Sequence, residues 1–170
     1  MIDINEVPSF YRGYVKQLSE GTVVRNLRTS GETITDLYAS IPVEKGDFAY
    51  APDKWTIKEV LLHIIDAERI FAYRALRFAR NDKTDLPGFE QNDYVPASNA
   101  GSRTINSLIA EFLTVRVSSI SLFETFDEEV MKRTGTANKN TVSVEALGYI
   151  ISGHCLHHAN IINQRYLNAH

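Results

Sequence analysis

The chain has 170 residues, 44% of them hydrophobic and 23% charged, with a formal net charge of −3 and a pI near 5.9. That is an ordinary globular composition with enough apolar residues for one core, so residues 1–170 read as a single domain. The mildly acidic balance lacks the basic stripe of a nucleic-acid binder and excludes attraction to phosphate backbones or anionic lipid as the expected mode of action.

One cysteine, Cys155, rules out an intramolecular disulfide and fits a reducing compartment. The stretch from Met1 to Pro8 is acidic and broken by proline, without the basic start and apolar core of a signal peptide. No run approaches the ~20 apolar residues of a membrane span. The expectation is a soluble cytoplasmic protein, with neither nucleic acid nor membrane as partner.

Residues 8–18 predict a short helix with aromatic anchors Phe10, Tyr11 and Tyr14, laid across the end of something larger. A first long helix is predicted over 22–41, with Val24, Leu27, Gly31, Ile34, Tyr38 and Ile41 on one stripe. Gly31 costs helix propensity but lets a neighbour approach closely, and Pro42 ends the run. A polar connection follows over 43–55. Thr56 with Glu59 three residues on is a capping box, and it opens a second helix over 56–80. Ile57, Leu61, Ile64, Glu68, Phe71, Ala75 and Phe78 form its seam. His63 sits at the edge of that face, turned toward a neighbouring helix. Glu68 lies on the seam itself, where a carboxylate is costly unless a cation or donor meets it. A salt bridge to an arginine, or exposure at the bundle end, would satisfy it.

The connection 81–103, with Pro87, Gly88, Pro96 and Gly101, is long enough to serve as a lid or wall, footed by Phe89, Tyr94 and Val95. A third helix is predicted over 104–126 from the strict heptad Ile105, Leu108, Phe112, Val115, Ser119, Leu122, Phe126. Residues 127–141 are polar and read as a loop. Ser143 is an N-cap for a last helix over 143–168. The fold class is therefore all-α: a four-helix bundle with a short additional N-terminal helix, long connections and no strands. Long connections permit either an up-down-up-down or a crossover arrangement. Bundles often bury an extra apolar helix face against a second copy, which makes a homodimer an expectation of the architecture.

Chemistry concentrates in the last helix, which holds three of the chain's five histidines. His154 and His158 are one turn apart, about 40° round the axis, so both imidazoles leave one face, the one otherwise filled by Leu147, Ile151 and Ile161. His157 points elsewhere. Two inward histidines need a partner. A divalent ion suits the four-residue step, because neutral imidazole is a common ligand. Water, a backbone carbonyl or a facing carboxylate would also serve. Cys155, on the opposite flank from His154, is a candidate thiolate ligand or a small buried hydrophobe. His170 is terminal and lies outside any element.

Trp55-Thr56-x-x-Glu59-x-x-x-His63-x-x-Asp66-Ala67-Glu68, with Gly153-His154-x-x-His157-His158 far downstream, resembles the DinB-like (YfiT-like) family of metal-binding four-helix bundles. The stretch from Phe89 to Val95 and Phe112-x-x-x-Arg116 are similar to it as well, and the likeness spans 55–166. The resemblance implies a divalent metal, nickel or zinc, held by His63, His154 and His158. It also implies a low-molecular-weight thiol such as bacillithiol, mycothiol or glutathione as co-substrate of an S-transferase or isomerase. In that reading the metal lowers the thiol's pKa, and the thiolate attacks an electrophile beneath the 81–103 loop. Glu68 orients a ligand imidazole or acts as a base, and Asp66 is structural. The family often has glycine then glutamine after the last histidine, where this chain has Ala159-Asn160. A hydrolase with activated water as nucleophile would use the same ligands, and a non-catalytic binding bundle is the other class.

Overall fold

The computed structural model describes residues 2–168, so His170 lies outside the described residues. The N-terminal stretch is two 3-10 turns leading into a single α-turn, α1 (Arg12–Val15). Four long helices follow: α2 (Val23–Ala39), α3 (Ile57–Ala79), α5 (Ile105–Glu124) and α7 (Val144–Ile161). Each starts at a side-chain cap. Thr22, Thr104 and Ser143 accept the amides of Arg25, Ser107 and Ala146. At α3 the expected capping box is complete: Thr56 Oγ1 accepts from Glu59 N at 3.2 Å, and Thr56 N donates to Glu59 Oε2 at 2.7 Å. The last helix continues as a π-helical turn over Ile162–Leu167.

The bundle is not a simple meander. α2 and α3 each pack against both α5 and α7. The ring order is therefore α2–α5–α3–α7, and α2 and α3, consecutive among the long helices, face each other across it. The connections from α2 to α3 and from α5 to α7 span the bundle, as their length allows.

Two regions depart from the sequence reading. Within 81–103 a short helix forms, α4 (Gln91–Ala97), capped by Glu90 and ended near Pro96. Beyond the turn α6 (Glu128–Met131), residues expected to be loop form an antiparallel hairpin, β1 (Thr134–Ala137) and β2 (Asn140–Ser143). Asn138 and Lys139 both have positive φ, as a two-residue primed turn requires. The paired strands are four residues each, too short to display a two-residue period. Gly135 is needed there, since a Cβ would lie 2.1 Å from the Phe78 ring. Leu86 hydrogen-bonds the hairpin through Thr136 O and Asn138 N, which anchors the long connection at its start.

Ile105–Glu124 is also long and apolar enough to cross a membrane by length and composition, with a mean hydropathy of 1.2, contrary to the expectation of no such run. In the fold it forms one wall of the bundle. It buries Leu108, Phe112, Arg116, Ser119 and Phe123.

The apolar core falls into two clusters. On α3 the division comes between Ile65 and Ala67, and on α7 between Ile151 and Cys155. The layer between them is polar, and all four long helices contribute: Ser30, Glu68, Arg116 and His154 are each at most 5% exposed. Gly31 permits this layer, because a Cβ there would meet the Arg116 side chain at 3.2 Å. That is the close approach its glycine implied.

Candidate metal centre

Three buried histidines gather beside that layer. His63 projects from the second turn of α3, and His154 and His158 from successive turns of α7. His63 Nε2 lies 3.0 Å from His154 Nε2, and His158 Nε2 lies 3.1 Å from the same atom. One ring nitrogen from each residue falls within a single 4.8 Å cluster. His157 is outside it, half-buried against the Tyr14 ring.

Aromatic rings enclose the group. Trp55 packs at 4.9 Å from His63, and Tyr14 and Phe71 lie edge-on to His154 at 5.5 and 6.2 Å. Tyr14 arrives through a close backbone approach. A Cβ at Gly153 would sit 2.4 Å from Tyr14 O, so the residue before His154 must be glycine for α1 to dock. The short N-terminal helix therefore walls the histidines rather than merely capping an end.

Burial keeps all three imidazoles neutral. It lowers the His63 pKa to about 4. It lowers His154 and His158 well below the ordinary value, with the neighbouring histidines adding to the effect. Neutral rings present lone pairs, the form that ligates metal. Nitrogens each about 2.0–2.1 Å from one ion, at angles between right-angled and tetrahedral, lie roughly 2.9–3.4 Å apart, and both close pairs fall in that range. A hydrogen-bonded explanation is less complete. His154 Nε2 offers either one proton or one lone pair, which satisfies one neighbour well and not two. The donor set fits a shared divalent cation.

Glu68 stands apart from this group. Both its oxygens accept from Arg116, Oε1 from Nε at 2.9 Å and Oε2 from Nη2 at 2.8 Å, with the two side chains 1% and 3% exposed. Arg116 also donates to Leu27 O, Ser30 Oγ and Cys155 Sγ. Glu68 thus takes the salt-bridge alternative; it does not line the cavity beside the histidines. Cys155 faces the ion pair, and burial pushes its pKa up to about 11 against the opposing pull of Arg116. It is a protonated thiol outside the histidine cluster. Asp66, half-buried, lies 3.7 Å from Arg69 on the same helix.

Two clefts reach the cluster from different sides. A cavity of about 220 Å³ is lined by His63, His154, Tyr14, Phe71, Arg74 and Phe89, among others. A second, of about 240 Å³, is lined by His158, Trp55, Lys54, Tyr50 and Tyr166, among others. Gln91 lines both, so the 81–103 segment forms the partition between them. Gln91 lies within the stretch from Phe89 to Val95 noted in the sequence, whereas Arg74 and Asn138 were not singled out there. Arg74 left one trace, a charge three residues after Phe71 on the buried side of α3.

Fold and site together define a four-helix bundle with a buried three-histidine centre of metal-binding type. The chain belongs to the DinB superfamily, whose model matches residues 26–162. YfiT from Bacillus subtilis, described as a probable metal-dependent hydrolase with an unusual four-helix bundle topology, superposes with a TM-score of 0.74 at 14% identity. The match covers 85% of this chain and 84% of that one. The mycothiol-dependent maleylpyruvate isomerase superposes with a TM-score of 0.70 at 11% identity, over 94% of this chain and 62% of that one. No curated protein matches the chain.

Proposed function

We propose that the protein is a divalent-metal-dependent S-transferase acting on two small molecules, a thiol and an electrophile, with His63, His154 and His158 holding the ion. The convergence of three buried, neutral imidazole nitrogens on one point carries this reading. Nickel and zinc both accept such a donor set. The ion, when bound, supplies Lewis acidity that lowers the pKa of a small thiol. Three protein donors leave coordination positions for that ligand, as catalytic sites do. The chain's own residues do the rest. Trp55, Tyr14 and Phe71 exclude bulk water from the imidazoles, and the ring contacts fix their orientation. The two clefts, meeting at the histidines and divided at Gln91, give each reactant its own approach. Glu68 contributes by compensating the buried Arg116 charge.

A hydrolase is the second reading, favoured by the fold shared with YfiT. The same imidazoles would serve it, with activated water in place of the thiol. The discriminating experiment measures metal by plasma mass spectrometry on untagged protein and on a His154→Ala/His158→Ala variant, then turnover with and without added thiol. Near-stoichiometric nickel or zinc that the variant lacks, with turnover requiring thiol, is the expected result. Turnover without thiol selects the hydrolase. Metal-free wild type after supplementation overturns both.

A further inference from the structure

The 220 Å³ cavity is lined by one buried charged group, Arg74, for which the fold supplies no counter-ion among the described residues. Arg74 is 4% exposed, yet among the described residues it forms no ion pair. Its one hydrogen bond among them runs from Nη2 to Pro87 O at 2.9 Å. A guanidinium carries five N–H donors, so most of its donor capacity is left for whatever occupies the cavity. Its carbon lies 5.8 Å from the Phe71 ring centroid and 6.0 Å from that of Phe89. Those rings flank the planar group, and its nitrogens without a protein partner keep accessible area beside the cavity. The other buried arginine, Arg116, has a bidentate carboxylate; Arg74 has none. Glu90, the acidic residue on the cavity wall, is exposed and uses Oε1 to cap α4 through Asn92 N and Nδ2, each at 3.0 Å.

We propose that Arg74 is the anion-binding residue of this site and that its ligand is a small carboxylate. The carboxylate sits on the guanidinium, and the remainder of the molecule extends along the cavity toward His63 and His154. A guanidinium held between two aromatic rings with no carboxylate of its own favours such a partner, since charge-assisted forked hydrogen bonds match a planar carboxylate. A cavity of this size admits a molecule of a few carbon atoms and not a nucleotide or peptide. The proposal deepens the reading of the same site as a two-substrate enzyme and rests on it for the meaning of the ligand. Either reactant could carry the carboxylate: the electrophile, or the thiol.

The test is run on the full chain stripped of metal, so that a carboxylate cannot report a metal contact instead. Maleate against its neutral diamide probes the electrophile. Mercaptoacetate against mercaptoacetamide probes the thiol. Binding is followed by calorimetry and by the Arg74 Nε–H resonance. In at least one pair, the acid binds the wild type at least about tenfold tighter than the amide and alone shifts that resonance. Arg74→Gln abolishes the preference, and Arg74→Lys keeps part of it. The pair that shows the effect assigns the carboxylate to its reactant. No acid preference in either pair, an unshifted resonance, or an undiminished preference in Arg74→Gln overturns the proposal. The wild-type resonance answers even if the variants do not fold. Metal content is measured separately, so an anion site that persists without any metal-binding capacity would sink the enzyme reading and leave Arg74 its ligand.

Discussion

Arg116 on α5 holds Glu68 on α3 through two hydrogen bonds, across 48 positions of sequence and with both side chains almost fully buried. Breaking such a pair strands a charge in the core, which costs about 3–5 kcal/mol, whereas replacing both members with apolar residues of similar volume is often neutral. Arg116→Met and Glu68→Leu are each expected to lower unfolding free energy by that amount, and the double variant to recover most of it. Urea denaturation of the three proteins checks this. Additive losses in the double variant would contradict it.

Acid should weaken the metal-free protein through the histidines. An imidazole in an unfolded chain takes up its proton near pH 6.5, but burial holds His63 neutral until about pH 4. Between those values the unfolded state binds more protons than the fold. Stability is therefore full above about pH 6.5 and falls as pH drops toward 4, by up to about 1.4 kcal/mol per pH unit for each histidine involved. His154 and His158, also held well below the ordinary imidazole value by burial, add to the loss in the same direction. Urea midpoints on chelated protein should fall between about pH 7 and about pH 5. The His63→Gln variant should show a shallower slope, and equal slopes would refute the assignment.

Gly153 sets how closely the N-terminal segment approaches the cluster. An alanine Cβ would lie 2.4 Å from Tyr14 O and 2.6 Å from its carbonyl carbon, both backbone atoms that cannot rotate away. Gly153→Ala is expected to cost about 1–3 kcal/mol and to lift the Tyr14 ring from His154. Thermal melts read the first effect. Faster hydrogen exchange over 9–18 reads the second; exchange unchanged there would show that the segment does not depend on this contact.

Cys155 should be chemically silent. With its pKa near 11, only about one thiol in a thousand is ionised at pH 8, and the thiolate is the reactive form. Native protein is expected to resist iodoacetamide at that pH for hours and to react at once in denaturant. Prompt native labelling would show that the polar layer opens.

Helix existence was legible because it depends on local chemistry. Thr56 with Glu59, Ser143 before an apolar run, and the heptad from Ile105 each act within one or two turns. So was the shared face of His154 and His158, since two side chains four apart on one helix have no choice of direction. The hairpin at Thr134–Ser143 was hidden. Its turn uses Asn138-Lys139 where glycine is the usual signal, and Phe78, 57 positions before Gly135, decides that Gly135 fits.

By itself, then, the sequence determined four amphipathic helices, the caps of two of them and the pairing of two histidines on one seam, because these follow from periodicity and hydrogen bonds between near neighbours. The family resemblance grouped His63 with that pair, and the fold brings its Nε2 to 3.0 Å from His154 Nε2 across 91 positions. Tertiary structure alone decided that Arg116 is the arginine Glu68 meets and that Arg74 is left buried without a carboxylate among the described residues. Those outcomes depend on the ring order of the helices and on which side chains compete for the same buried space, and neither is encoded in any short stretch of chain.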